Sequence, residues 1–320
     1  MENFIFSLGV VTPTCLIALL GFILRKTDFF NDAFLKQLDK YVFQIAIPLL
    51  MVCDVARSDI RSMFDLKFAL FCFIATTLSY WGLYIVLYPF MKNKTLLASF
   101  CHASGRGSIT IFGASLTISI CGSAGYAPLM MAVVVPLYNI YGVVLMSLKS
   151  ENGQKIFSKS NLKSIGKSII TNKIIIGILV GTLISFLGIN IPEFLFKPMK
   201  TIASTGSPLA LISLGAGLNA SLKMDKIKAN FKPVIAASFM KLVGHLLIFM
   251  PIAVMMGMNP DQIVSVLVML GTPCTVTAYI VAKSMGGDYE FTSATVLVST
   301  ILSTVTMTLW LTVLKSMALI

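Results

Sequence analysis

The sequence predicts an all-α membrane protein of ten transmembrane helices, set as two inverted five-helix repeats whose fourth and ninth helices are interrupted and cross. Three observations predict it. The 320 residues are 57% hydrophobic and 12% charged, with a mean hydropathy of +0.89, more apolar surface than a soluble domain of this size needs. Ten apolar stretches of about 20 residues follow one another, each long enough for a bilayer core. Two of them are broken at matching places, by Gly105-Arg106-Gly107-Ser108 and by Gly271-Thr272-Pro273-Cys274. Backbone that leaves helical geometry inside a bilayer survives only if buried in protein or lining a polar cavity, so paired breaks mark a site.

The first span, Phe4–Leu24, ends at the basic pair Arg25-Lys26, and no basic stretch precedes it as in a cleaved leader. Leu35–Val55 follows and contains Ile47-Pro48. Phe68–Phe90 is the third span. Thr95–Ile120 is the fourth and holds the first break. Ala127–Leu148 closes the first half. Ile169–Leu187 opens the second and carries Gly177-Ile178-Leu179-Val180-Gly181, a small-residue spacing that is weak evidence of helix packing by itself. Ile202–Leu218 and Pro233–Met256 are the seventh and eighth, the latter with Lys241 inside it. Gln262–Ala282 holds the second break, and Thr292–Leu314 is the tenth.

The halves match. Phe34-Leu35 and Pro48-Leu49 recur as Phe194-Leu195 and Pro208-Leu209, and Ser99 and Gly105 recur as Ser265 and Gly271. Five spans is an odd number, so the second copy enters from the opposite side and the repeat is inverted. The first repeat is residues 1–148, a basic linker covers 149–168, and the second repeat is 169–320. With the N-terminus outside, seventeen Lys and Arg fall in inner loops and six in outer ones, which places both termini outside and the linker in the cytoplasm. Two cations remain, Arg106 and Lys241, both within the membrane. Lys155, Lys159, Lys163 and Lys167 recur every four residues. They suit either an interfacial helix against anionic lipid or a solvated linker whose charges fix topology.

The net charge of +12 lies in short loops between apolar runs, which argues against a nucleic-acid partner. The six cysteines show no CxxC spacing and mostly fall within spans, where they read as small apolar fillers. No nucleotide-binding or metal motif occurs, so no cofactor or metal is expected. Ser238-Phe239-Met240-Lys241 fits SxxK without the companion motifs of that enzyme class.

Several runs resemble the auxin efflux carrier family. Ser108-Ile109-Thr110-Ile111-Phe112-Gly113-Ala114-Ser115-Leu116 is similar to the family's first crossover, and Pro273-Cys274-Thr275-Val276-Thr277-Ala278-Tyr279-Ile280-Val281-Ala282-Lys283 to its second. Ser303-Thr304-Val305-Thr306, Gly21 before a basic pair, Tyr41 and Ile47-Pro48 add to the likeness, which covers nearly the whole chain. Ser108 stands where the family usually has Asn, and Ser115 and Ala278 where plant members have Pro. The resemblance implies a bile acid:sodium symporter-like fold. Spans one, two, six and seven would form a scaffold, and spans three to five and eight to ten a mobile transport domain. It also implies weak organic acids as substrates.

Arg106 is the leading site candidate. An intramembrane charge is expected to face a cavity or a partner, and a guanidinium fork suits a carboxylate. Gly105 and Gly107 allow close backbone approach, and the helix resuming after Ser108 offers free N–H groups to an anion. The alternative is an internal pair, with Asp54 as partner. Lys241, with His245 four residues on, could couple protons, stand as a fixed charge where related folds bind sodium, or be held by backbone carbonyls. His102 has the same four-residue spacing to Arg106; a membrane His is more often a hydrogen-bonded packing residue. Thr110, Cys274, Thr275 and Thr277 could complete the substrate site around Gly271 and Pro273. Asn139 and Ser303 occupy matching places in the fifth and tenth spans, from which each could bond a crossover or merely join helices.

The expectation is a secondary transporter of small organic anions, mono- or dicarboxylates, working by elevator-type alternating access. Its partners would be the anion and the bilayer, with a scaffold through which two copies could pair. The rivals are a sodium- or proton-coupled symporter of a bulkier, bile-acid-like substrate, and a membrane sensor that binds a ligand without moving it. An intramembrane enzyme lacks a pair of buried carboxylates or a Ser/His constellation.

Overall fold

The computed structural model describes residues 2–56, 65–109, 125–148, 170–221 and 224–320, together with 117, 120 and 121. The basic linker 149–168, Thr110 and most of residues 110–124, where the fourth span is expected to resume, lie outside the described residues. Among the described residues the architecture is all-helical, and the one β-type pairing is an isolated bridge between Gly107 and Cys274.

Helix α1 (Glu2–Lys26) ends on Arg25 and Lys26, cations that suit the negative end of a helix. The second rod consists of α2 (Asp32–Tyr41), a π turn at Val42–Ala46, and α3 (Ile47–Ala56). Asn31 caps it by accepting from the Phe34 amide. Helix α4 (Leu66–Thr77), capped by Asp65, continues through a π turn at Leu78–Gly82 into α5 (Leu83–Leu87). Helix α6 (Lys94–Gly105) stops at the first break, and the next described helix is α7 (Ala127–Ser147).

In the second half, α8 (Lys173–Leu187) ends at Gly188, whose φ of 66° is the left-handed cap glycine tolerates. The amphipathic α9 (Glu193–Ser204) and α10 (Gly206–Ser221) are separated by one residue, Thr205. The seventh apolar span therefore begins earlier than its hydropathy suggested, on a helix whose lysines interrupt the apolar run. Next come α11 (Met224–Phe239), a π turn at Met240–Gly244, and α12 (His245–Met255). Helix α13 (Pro260–Gly271) opens on an Asn259/Gln262 capping box and stops at the second break; α14 (Val276–Ser284) and α15 (Tyr289–Ser316) complete the chain.

Among the described residues, four helical stretches are long and apolar enough to cross a bilayer: Leu66–Leu87, Ala127–Ser147, Phe231–Met255 and Tyr289–Ser316. Helices α6 and α13 are not, for a physical reason. Each has 12 residues, about 18 Å at 1.5 Å per residue, against a core of about 30 Å.

Two close pairings dominate one side of the molecule. Helix α1 lies along α10, where Gly21 abuts the Ile212 carbonyl and Gly215 the Ala18 carbonyl, with no room for a Cβ. Helix α8 lies along α3, and a Cβ on Gly177 would meet the Pro48 carbonyl at 2.5 Å. The Gly177/Gly181 spacing thus marks a true packing face. On the other side α4, α7, α11, α12 and α15 surround α6 and α13. Every residue from Gln262 to Gly271 is buried there, as is every residue from Leu97 to Gly105. Large apolar side chains such as Leu20, Phe186, Leu247 and Ile301 point outward.

Candidate functional site at the crossed breaks

The chain leaves helical geometry at Arg106 (φ −91°, ψ 111°) and again at Thr272 (φ −68°, ψ 152°). The two extended segments meet in the antiparallel sense: Gly107 bridges Cys274, and the Ser108 amide donates to the Pro273 carbonyl at 2.9 Å. Gly107 is required by space. A Cβ there would lie 2.7 Å from Thr272 Oγ1, 2.9 Å from the Met269 carbonyl and 3.2 Å from Lys241 Nζ. Gly105 is likewise closed in, by the Tyr80 ring, and Gly271 by Leu246.

A helix that stops inside a protein leaves its last carbonyls without partners. At the end of α13 side chains supply them. Thr272 Oγ1 donates to Val268 O at 2.8 Å, Tyr138 Oη to Met269 O at 3.0 Å, and Lys241 Nζ to Leu270 O at 2.8 Å. Lys241 is fully buried, and its π turn carries the side chain to the negative end of α13. Of the readings open to Lys241, the structure shows the ammonium held by backbone carbonyls.

Arg106 is 4% exposed. Its Nη2 donates to Asn139 Oδ1 at 3.0 Å, while Nε and Nη1 have no partner among the described residues. The alternative pairing with Asp54 does not occur: Asp54 accepts from Lys200 at 2.6 Å. Asn139 is itself oriented by donating to Val135 O at 2.8 Å. Arg106 is thus a buried cation with one neutral partner and free donors, a costly arrangement unless something else completes it.

Other expected residues are placed as follows. His102 seats its ring against Gly142 and has no hydrogen-bond partner at either nitrogen among the described residues. His245 bonds the Ser104 backbone. Cys274 is buried, and its amide takes a bond from the tenth span, donating to Ser299 Oγ at 3.1 Å. Ser303, the position singled out in that span, bonds within its own helix to Thr300 O, so the residue on the crossover is Ser299, one turn earlier. Thr275 and Thr277 lie half-buried at the start of α14. Sequence reasoning missed Tyr80 and Tyr138. Tyr80 is fully buried against Gly105, with a hydroxyl unpartnered among the described residues. Both belong to an aromatic group with Trp81, Tyr84 and Tyr141.

A second polar cluster was not anticipated. Lys283 Nζ pairs with Asp39 Oδ2 at 2.6 Å and bonds Tyr279 Oη at 2.8 Å, while Ser213 Oγ donates to Asp39 Oδ1. Lys283 lies past the apolar part of its span. Burial opposes its charge, but Tyr279 and Asp39 outweigh this and hold its pKa above the ordinary lysine value. Among the described residues no cluster of His, Cys, Asp or Glu could hold a metal ion.

Broken helices that meet in extended backbone, within a shell of outward-facing apolar helices, are the architecture of a multi-pass membrane protein. Comparison with known proteins is specific. A family model described as membrane transport protein matches residues 6–311, and the chain belongs to that family, the auxin efflux carriers that its crossovers resemble. A Rhizobium meliloti (strain 1021) protein named "Putative malonate transporter" is 22% identical over 315 residues, covering 97% of both chains. "Uncharacterized transporter YfdV" of Escherichia coli (strain K12) is 22% identical over 314 residues, covering 96% of this chain and 97% of its own. The protein is a membrane transporter and not an enzyme.

Proposed function

We propose that this transporter is a secondary carrier of small organic anions, mono- or dicarboxylates, with Arg106 as the group that binds the carboxylate. The observation that carries the reading is the state of Arg106: buried at the crossed breaks, braced by Asn139, with donors on Nε and Nη1 unpartnered among the described residues. A charge-assisted bond to a carboxylate would satisfy them. Gly107 and Ser108 follow it in the break, Cys274 bridges Gly107, Thr275 and Thr277 come next along that second segment, and the name of the Rhizobium relative makes malonate the first compound to test. Lys241 supports a carrier without a sodium site here, because its ammonium already occupies carbonyls that a sodium ion would need.

The architecture behind this reading is ten spans in two inverted repeats. The antiparallel bridge between the breaks supports it. So does the exchange of partners in the close pairings, α1 with α10 and α8 with α3, which are the first span with the seventh and the sixth with the second. Those four spans would be the scaffold, and the six around the breaks would move against it as an elevator. Purified protein in liposomes loaded with malonate should exchange labelled malonate or a related carboxylate by counterflow. Binding without flux would instead make the protein a sensor.

The charge bias further supports an orientation with both termini outside. A cysteine introduced near Ile320 should react with an impermeant maleimide in intact cells, and one near Lys159 should not. The reverse pattern would invert the orientation and leave the fold standing.

A further inference from the structure

The cluster around Lys283 joins helices that the carrier reading assigns to opposite sides of the moving boundary. Asp39 is on α2 and Ser213 on α10, both in the scaffold. Tyr279 and Lys283 are on α14, the resumed half of the ninth span. Asp39, Tyr279 and Ser213 are buried, and the Lys283 side chain keeps 24% of its surface exposed toward the neighbouring cavity, so the contact is withdrawn from water on three of its four members. Its bonds are reciprocal: Lys283 to Asp39 at 2.6 Å, Lys283 to Tyr279 at 2.8 Å, Tyr279 to the Ser213 carbonyl at 3.3 Å, and Ser213 back to Asp39. Gly217 leaves room for the Tyr279 hydroxyl, since a Cβ there would approach it to 3.1 Å. The pair also borders an open cavity of about 760 Å³ lined by Arg25, Lys36, Asp39, Lys40, Lys283 and Tyr289. Helix α14 is nine residues long and begins two residues after Cys274. A stiff rod of that length ties whatever holds Lys283 to the crossover itself.

We propose that Asp39, Ser213, Tyr279 and Lys283 form a latch that fastens the transport domain to the scaffold and keeps the crossover closed to the cavity on that side. Opening requires the Asp39–Lys283 pair to part, and a buried Asp39 carboxylate left without its cation is costly, so the latch makes the closed state discrete. The proposal rests on the division into scaffold and moving domain. Sequence patterns hide it, because Asp39 and Lys283 lie at span ends where charges look merely solvated.

The test uses Cys274, 2% exposed at the crossover, as the reporter in a chain whose other five cysteines are replaced by serine or alanine. Maleimide labelling of the purified, membrane-reconstituted protein should be slow. Asp39→Asn and Lys283→Met should each raise the rate about tenfold, as loss of a buried pair shifts a two-state equilibrium. The exchange Asp39→Lys with Lys283→Asp should bring it back toward the parent. Thermal melting separates opening from unfolding. Should the single variants fail to fold, Ser213→Ala and Tyr279→Phe keep both charges and must still raise the rate, by less. Unchanged labelling in folded variants, or no recovery in the exchange, overturns the latch. Labelling needs neither substrate nor flux. Failure of counterflow with labelling as expected would therefore sink the carrier reading alone, and counterflow with unchanged labelling would sink the latch alone.

Discussion

The two breaks are built alike and charged differently. The first carries its cation within the break, at Arg106. The second, Thr272-Pro273-Cys274, carries none and receives one from a neighbour, Lys241 on the π turn of the eighth span. Lys241 is committed to backbone: it donates to the Leu270 and Met269 carbonyls at the end of α13 and matches the helix dipole. Arg106 has a single neutral partner among the described residues and free donors. One charge therefore serves the backbone, and the other keeps donors that the described protein groups do not use. The difference shows why intramembrane charge alone does not single out a binding candidate, and why its hydrogen-bond inventory must be read beside it.

The largest expected effect tests the structural half of this contrast. Lys241→Met keeps length and burial but leaves the Leu270 carbonyl without its partner and α13 without a cation at its end. The cost should be about 1.5–3 kcal/mol, the range for a hydrogen bond to a charged group, read as a clear fall in melting temperature with or without ligand. A variant as stable as the parent would break the contrast, because Lys241 would then be as free as Arg106.

Gly107→Ala probes the close approach of the two breaks. Its Cβ must push against the Met269 carbonyl and Thr272, which are held by α13. The expected loss is about 1–3 kcal/mol, as for overpacking elsewhere, with weaker ligand binding on top. An unaltered melting temperature would mean that the antiparallel contact is looser than described.

Part of this was legible in the sequence. The all-helical, apolar character and the Gly and Pro breaks follow from local backbone and solvation rules, which act on each segment alone. The burial of Arg106 and Lys241 followed from their positions in apolar runs. Their partners did not. Asn139 and the Leu270 carbonyl are chosen by helix packing, and a carbonyl carries no sequence signature. The π turns at Leu78–Gly82 and Met240–Gly244 shift the register of Tyr80 and Lys241, an offset that a 3.6-residue period cannot foresee. Ser299 rather than Ser303 reaches the crossover for a similar reason: in a helix rich in Ser and Thr, one turn decides the contact. Asp39 and Lys283, 244 positions apart, meet through the fold alone.

The central claim is that Arg106 binds the carboxylate. The most direct measurement is the affinity of the purified protein for malonate and a panel of small mono- and dicarboxylates, compared with that of Arg106→Gln. Gln retains hydrogen bonding and much of the size without the charge, and Asn139 can still hold it. The account predicts that binding weakens by about 1.5–3 kcal/mol, roughly ten- to a hundredfold in Kd, while the variant stays folded and monodisperse. A folded Arg106→Gln protein that binds the same carboxylate with the affinity of the parent would contradict it.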